Sequence, residues 1–305
     1  MRNYIFKRLL QSIVTLIGVT VIVFIVLHLS GDPTALLLPE EATAEDIATL
    51  RHELGFDKPL YVQYLKFLKG ILHGDFGLSL RHGQPSFHLV LSHIPATAEL
   101  TAAALIIALV FAIPIGIYSA VKPNSFADNI GMIVVLLGQS VPAFWSGLML
   151  IFLFTVTLHL LPAYGRGGFD NLIMPAVSLG FFTMARIARV TRSSMIGVLG
   201  KDYIRTAKSK GLSDYLVTIR HAFKNAAIPV ITLVGMEIGR LLGGVAIMET
   251  VFAWPGVGRL VVQAIYSRDF PVVQAAVFTL AVIFLAINFI VDILYTYLDP
   301  RVRYD

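Results

Sequence analysis

Six runs of apolar residues, each near the length that crosses a lipid bilayer, constrain this chain more than any other feature. They cover about 9–29, 98–121, 130–160, 172–190, 226–250 and 273–298, the fourth being interrupted at its end by Arg186 and Arg189. About 20 helical residues span a hydrocarbon layer roughly 30 Å thick. Inside that layer no water is available to backbone groups, so a single crossing segment satisfies them by forming a helix. Pro114, Pro142, Pro175 and Pro229 lie in or near these runs, a placement that helices in lipid tolerate. Composition agrees: 56% of residues are hydrophobic and 14% charged, against about 25% charged in an average soluble domain. Mean hydropathy is +0.77. The fold class expected is an all-α integral membrane protein.

Charge sets the topology. Arg2, Lys7 and Arg8 precede the first run, as they do in a secretory signal peptide. The run is too long for such a peptide's apolar core, however, and no small-x-small cleavage site follows it. It is read as transmembrane helix 1 with its N-terminus in the cytoplasm. Segments 1–8, 122–129, 186–225 and 299–305 then face the cytoplasm and hold 3, 1, 9 and 2 Lys or Arg residues. The short outside segments 161–171 and 251–272 hold only 1 and 2, as the positive-inside rule requires. The expectation is six transmembrane helices with both termini cytoplasmic. Residues 1–29 are the N-terminus and helix 1, 30–97 an extracytoplasmic cap, 98–298 the remaining helices, and 299–305 a cytoplasmic tail. The cap is too long for a bare loop. It opens on a Gly31-Asp32-Pro33 turn and shows amphipathic helices over 45–55 and 61–72. Topology accounts for the net charge of +5 without nucleic acid, and with no cysteine there is no disulfide or thiolate site.

The stretch 201–230, KDYIRTAKSKGLSDYLVTIRHAFKNAAIPV, is the long polar run of the C-terminal two-thirds. Lys201, Arg205, Lys208, Lys210, Arg220 and Lys224 face only Asp202 and Asp214. Asp202 is expected to cap a helix starting at Tyr203. Gly211 is expected to end that helix in the left-handed conformation, with Leu212 making the closing apolar contact. Ser213 then caps a second helix, 214–225, whose Tyr215, Leu216, Ile219, Ala222 and Phe223 share one face. The bases also satisfy the positive-inside rule and suit anionic lipid head groups.

Catalytic signatures are lacking. No GxxxxGK[ST] loop, HExxH or GxSxG occurs, and the eight histidines are scattered. Phosphate cradling, zinc-protease and nucleophile-elbow chemistry are therefore unsupported. Gly239-x-x-x-Gly243 suits close helix packing in lipid. Charged groups within spans are costly and are candidates for function. Glu237 and Arg240 can pair at i, i+3, Glu249 closes span 5, and Asp292 sits in span 6. These four either line a translocation pathway or gate, or pair between helices to fix the bundle. Glu99 is expected at the membrane interface.

Other short stretches carry a resemblance. DYIRTAKSKGL at 202–212 resembles the cytoplasmic coupling loop of ATP-binding-cassette importer permeases, in the version carried by the dipeptide, oligopeptide, glutathione and nickel permeases. In the same order as that branch come GDP at 31–33, LGFDKPLYVQY at 54–64, GDFGLS at 74–79, IPATAEL at 94–100 and LPAYGRGG at 161–168. ETVFAWPGVGR at 249–259, RDFPVVQ at 268–274 and VDILYTYLDPRVR at 291–303 complete the series. The chain departs from the general family loop at Arg205-Thr206, where Glu-Ala is usual, and at Lys224, where a proline closes the pattern.

The resemblance implies a type I importer in the bacterial cytoplasmic (inner) membrane. Its partners would be a second homologous permease, two ATP-binding subunits and an extracytoplasmic solute-binding protein, all assembled around the lipid bilayer. This chain is then a non-catalytic subunit that binds no cofactor or metal, with ATP and Mg on the partner ATPases. The coupling loop, 200–225, would present Tyr203, Ile204, Arg205, Thr206, Ala207, Lys208, Gly211 and Leu212 to an ATPase. Tyr203, Ile204 and Ala207 would give the apolar contact, and Arg205, Lys208 and Lys210 the charge. Short peptides are the expected solute, with nickel, another metal chelate or glutathione as alternatives. A secondary transporter should instead show inverted repeats or a complete ion path. The cap, with eight acids against five bases, and the WPG turn at 254–256 either dock the binding protein or only cover the helix ends.

Overall fold

The computed structural model describes residues 2–29, 31, 32, 34, 38 and 42–298. Pro33 of the Gly31-Asp32-Pro33 turn, two of the eight cap acids (Glu40 and Glu41) and the tail 299–305 lie outside the described residues. The described residues are helical apart from loops and one isolated bridge between Leu78 and Pro85. The helices are α1 (Arg2–Leu29), α2 (Ala44–Leu54), α3 (Leu60–Leu72), α4 (Ser86–Val121) and α5 (Phe126–Ser140). They continue with α6 (Ala143–Thr157), α7 (Phe169–Leu199), α8 (Asp202–Ser209), α9 (Asp214–Val251), α10 (Val257–Tyr266) and α11 (Phe270–Leu298).

Among the described residues, five helices are long and apolar enough to cross a membrane: Phe6–Leu29 of α1, then α4, α7, α9 and Phe270–Ile293 of α11. Six were expected. The run at 130–160 is broken, because α5 stops at Ser140 and Val141 turns extended, with φ −92° and ψ 124°. Pro142 is the cause: its ring disfavours the helical conformation at the preceding residue, and it brings no N–H to the ladder. In addition, α4 begins at Ser86, well ahead of the apolar run at 98.

The chain forms two units, one of residues 1–96 and 255–286, the other of 97–254 and 287–305. The first has a core of Leu27, Phe76, Leu89, Val90, Val257, Leu260, Phe270 and Val273. Phe24, Tyr64, Phe67 and Phe76 run through it as successive ring contacts with centroids 5.2–6.2 Å apart. Within it, α2 is closed at its start by a reciprocal pair, Thr43 and Asp46, which satisfies donors that the first turn leaves open.

In the second unit, α4, α5, α7 and α9 share the core of Ala108, Ala112, Val135, Met184, Ala185, Ile187, Ala188 and Val230. Small residues set the helix spacing there. A Cβ at Gly180 would lie 2.5 Å from the Ala104 carbonyl oxygen, and one at Gly116 2.7 Å from that of Ala188. Gly235 admits Val291 in the same way. The Gly239-x-x-x-Gly243 reading is corrected: a Cβ on Gly243 would meet no atom within 4 Å, so Gly243 makes no such contact in this chain.

Candidate functional site

The basic stretch is seated on the bundle rather than hung from it. α7 ends at Leu199, and the Lys201 N–H donates to the Val198 carbonyl at 3.0 Å. Two residues, Gly200 and Lys201, then separate α7 from α8, and the extended Lys201 takes the N-cap position. Asp202 is therefore the first residue of α8 and not its cap. Its carboxylate lies 3.5 Å from Arg205, with both side chains exposed. Gly211 does adopt the left-handed conformation, at φ +75°. The Lys210 N–H reaches the Thr206 carbonyl at 3.2 Å, and the Gly211 N–H that of Lys208 at 2.9 Å. Leu212 is 37% exposed and lies outside the buried cluster that holds Ile204 and Ala207. Ser213 caps α9 as expected, its Oγ accepting from the Leu216 N–H at 3.4 Å.

Two residues assigned to an outward apolar contact point inward. Ile204 and Ala207 are buried with Ala120, Met195, Val217, Ala222 and Ala226, so they anchor α8 to its own chain. Tyr203, Arg205, Thr206, Lys208, Lys210, Gly211 and Leu212 remain exposed. The Tyr203 hydroxyl accepts from Asn225 Nδ2 at 3.2 Å. The helix 214–225 also differs from expectation, because it runs unbroken into the following span through wide π turns at Val217–Phe223. Those turns bring residues five apart onto one face, and Val217 and Ala222 are the buried pair. Tyr215, Leu216 and Ile219 consequently face outward.

Along α9 the charged candidates separate. Glu237, only 2% exposed, accepts from Arg186 Nη1 on α7 at 2.9 Å and lies 3.4 Å from Arg240 Nη1. The Thr183 hydroxyl also bonds to it. Both guanidiniums lie over the Phe182 ring, at 5.0 and 5.8 Å from its centroid. The i, i+3 pair is thus present, joined by a partner from another helix. Sequence order placed Arg186 at the end of a span and gave no sign that it meets Glu237. Glu249, fully buried, accepts from Thr97 Oγ1 at 2.6 Å. It stands about 18 Å along the helix from Glu237 at about 1.5 Å per residue. Asp292 is half-buried on α11 beside Val291, which packs on Gly235.

One further ion pair has no forewarning in the sequence. Asp128 is buried and receives Arg192 through Nε at 2.9 Å and Nη2 at 2.8 Å, together with the Asn124 N–H at 2.9 Å. The Arg192 hydrogen bonds are the main reason that its carboxyl is held down to about 2.

Stretches far apart in sequence meet within each unit. In the first, Asp269 of RDFPVVQ accepts from Ser79 Oγ of GDFGLS at 2.5 Å and from the N–H groups of Leu80 and Arg81. Arg268 donates to the Asp32 carbonyl of GDP at 3.1 Å, and Phe56 meets Phe270 edge to face. In the second, Arg166 of LPAYGRGG grips Glu99 at 2.6 Å, and the Gly165 N–H reaches the Phe252 carbonyl at 2.9 Å. Trp254 of the WPG turn is fully buried, so its ring offers nothing to a docking protein.

Residues 112–304 match the binding-protein-dependent transport system inner membrane component, and residues 1–101 match the N-terminal component of the same system. The chain belongs to that family. The permease is 42% identical to the dipeptide transport system permease protein DppB of Alkalihalophilus pseudofirmus, with 100% of each chain covered. It is 43% and 41% identical to the glutathione transport system permease protein GsiC of Salmonella paratyphi A and Escherichia coli K12, again over 100% of each. A solved inward-facing structure of the MetNI methionine ABC transporter matches with a TM-score of 0.56 at 17% identity. That match covers 69% of this chain and 96% of the other, and it shows shared fold. The permease is thus a multi-pass inner-membrane component of an ATP-binding-cassette importer, a non-catalytic membrane subunit whose family implies ATPase and binding-protein partners.

Proposed function

We propose that the permease carries dipeptides or oligopeptides inward. It would form half of the pathway with a second homologous permease, above two ATP-binding subunits that hold ATP and Mg and below an extracytoplasmic binding protein. In this reading the chain crosses the membrane six times, the broken segment at 130–160 making the extra crossing, and both termini are cytoplasmic.

One observation carries the mechanical part. α8 is short and glycine-stopped, it is fixed to the bundle by Ile204 and Ala207, and it shows its bases outward. A push on Arg205, Lys208 or Lys210 passes through Ile204 into Met195 of α7 and Ala226 of α9, since packed cores move as rigid contacts. Glu237, Arg240 and Glu249 lie on α9, one of the helices so moved, and Asp292 lies on α11 beside Val291, which packs on Gly235 of α9; all four are proposed as pathway or gate residues. Peptide as the solute is supported by the full-length likeness to DppB. Glutathione, itself a tripeptide, is a second reading favoured by the GsiC likeness.

The test is uptake by the complete complex in proteoliposomes, alongside binding by its cognate binding protein, over dipeptides, longer peptides, glutathione and nickel chelates. Saturable, ATP-dependent peptide uptake is expected. Preference for a nickel chelate over every peptide would overturn the solute assignment.

A further inference from the structure

The charge count around Glu237 does not close. Two guanidiniums, which stay protonated at any physiological pH, share one carboxylate oxygen, so the cluster carries a net positive charge between α7 and α9, two helices long and apolar enough to cross a membrane. Its bond to Glu237, 11 residues into the run at 226–250, sets Arg186 deeper than the cytoplasmic boundary expected at 186. Glu237 is sealed inside, whereas the Arg186 and Arg240 side chains are 32% and 47% exposed. Each contacts Glu237 through Nη1 alone. That leaves Nε and Nη2 of each guanidinium outside the bond to Glu237, and the Phe182 ring lies beneath both groups. The outward face of α9 here is a stripe of Met236, Arg240, Gly243 and Ile247, at helical spacing. Lipid is a poor neighbour for an exposed guanidinium, and intramembrane cations instead face water, an anion or a partner chain.

We propose that Arg186 and Arg240 bind the C-terminal carboxylate of a peptide in transit, with Glu237 and Phe182 as the residues that position them. This rests on the peptide reading above. A carboxylate matches a guanidinium fork with two parallel hydrogen bonds, and it is the anionic group that every free peptide brings. Glu237 keeps the site from being a permanent trap, because it already takes part of the positive charge.

The absence of cysteine from the chain makes the site testable by thiol labelling in the assembled complex. Gly243 lies one turn from Arg240, and a Cβ there meets nothing within 4 Å, so Gly243→Cys is the probe position. Ile247→Cys, also exposed, is the second. With each rate taken relative to that reagent's rate with a free thiol in solution, an anionic sulfonate methanethiosulfonate is expected to react about tenfold faster than its ammonium counterpart, the enrichment that a cleft of one charge sign gives. Arg240→Gln, which leaves Glu237 paired to Arg186, should bring the ratio close to one. A free-acid dipeptide should slow the anionic labelling, and the same dipeptide as its C-terminal amide should not. Equal rates for the two reagents, no labelling at either position, a ratio unmoved by Arg240→Gln and Arg186→Gln, or equal protection by acid and amide would each overturn the proposal. Peptide uptake on the same preparation reports the underlying reading separately. Uptake with charge-blind labelling rejects only this site, whereas charge-selective labelling without any peptide uptake rejects the peptide reading.

Discussion

At Gly211 the constraint is conformational, since φ is +75° and the space where a Cβ would sit is empty. A left-handed residue other than glycine costs about 1–2 kcal/mol, and asparagine tolerates it best. Gly211→Val is therefore expected to insert and assemble normally but to tilt or fray α8. Solute-stimulated ATP hydrolysis and uptake should fall together by on the order of tenfold, each 1.4 kcal/mol of misplacement being about one factor of ten. Gly211→Asn should stay close to the parent, and normal stimulated hydrolysis in the valine variant would remove the loop from the coupling path. Asp128 is a different case, because there the chemistry is electrostatic. Its carboxyl ordinarily titrates at 3.8 and is held at about 2 by Arg192, so folding favours the charged form. The stabilisation is present in full above about pH 4 and is lost as pH falls from there through about 2. Asp128→Asn should lower the melting temperature in detergent at neutral pH, by the equivalent of about 2 kcal/mol for hydrogen bonds to a charged group. The gap from the parent should narrow as pH falls through that window, and a gap that is constant down to pH 2 would count against the assignment.

Among elements, α8 and the start of α9 act as one piece because Ile204, Ala207, Val217 and Ala222 share a core. Truncation of a buried isoleucine to alanine costs about 2–5 kcal/mol. Ile204→Ala should therefore raise hydrogen exchange and protease sensitivity over 200–216 and lower stimulated ATP hydrolysis. Arg205→Ala should leave local protection unchanged, since an exposed ion pair contributes about 0–1 kcal/mol, and should act only if an ATPase touches it. If the two variants behave alike in exchange, the anchoring role is wrong. How much of this was legible follows the range of each interaction. Gly211, Ser213 and the helices near 45–55 and 61–72 rest on local chemistry, and each was readable in a few adjacent residues. The burial of Ile204 is a different matter, because whether an apolar residue on a short helix faces a partner chain or its own bundle depends on Met195 and Ala222. The outward turn of Tyr215, Leu216 and Ile219 was lost for another reason: a period of 3.6 fails where π turns add a residue. The break at Val141 was foreshadowed by Pro142, yet a proline within an apolar run is compatible with a kink as well as a stop. Arg186 with Glu237, and Arg192 with Asp128, join residues 51 and 64 apart, and no local pattern reports such pairs.

At the scale of the whole molecule, the stretches that marked the family meet within each unit. GDP, GDFGLS and RDFPVVQ are knit by Asp269 and Arg268, and IPATAEL, LPAYGRGG and ETVFAWPGVGR by Glu99, Glu249 and the Gly165 N–H. Such residues hold structure, which leaves the exposed charges of the cap as the candidates for contact with a binding protein. Several of its acids are already engaged: Asp32 with Arg51, Asp46 in the α2 cap and Asp57 with His52. Glu45 and Glu53 are exposed on α2, and neither takes part in the core. Reversing both, Glu45→Lys with Glu53→Lys, should change the melting temperature little, because the lysine in the first turn of α2 is unfavourable to the helix dipole and the one in its last turn favourable, each by about 0.3–1 kcal/mol. If this face receives the binding protein, the main effect falls on association. The rate should drop by about tenfold at low salt and recover toward the parent as salt is raised, because rim charges act chiefly through steering. Stimulation of ATP hydrolysis by saturating binding protein should then persist, with its half-maximal concentration shifted upward. An unchanged half-maximal concentration at low ionic strength would mean that α2 only covers the helix ends, and that docking lies on another surface.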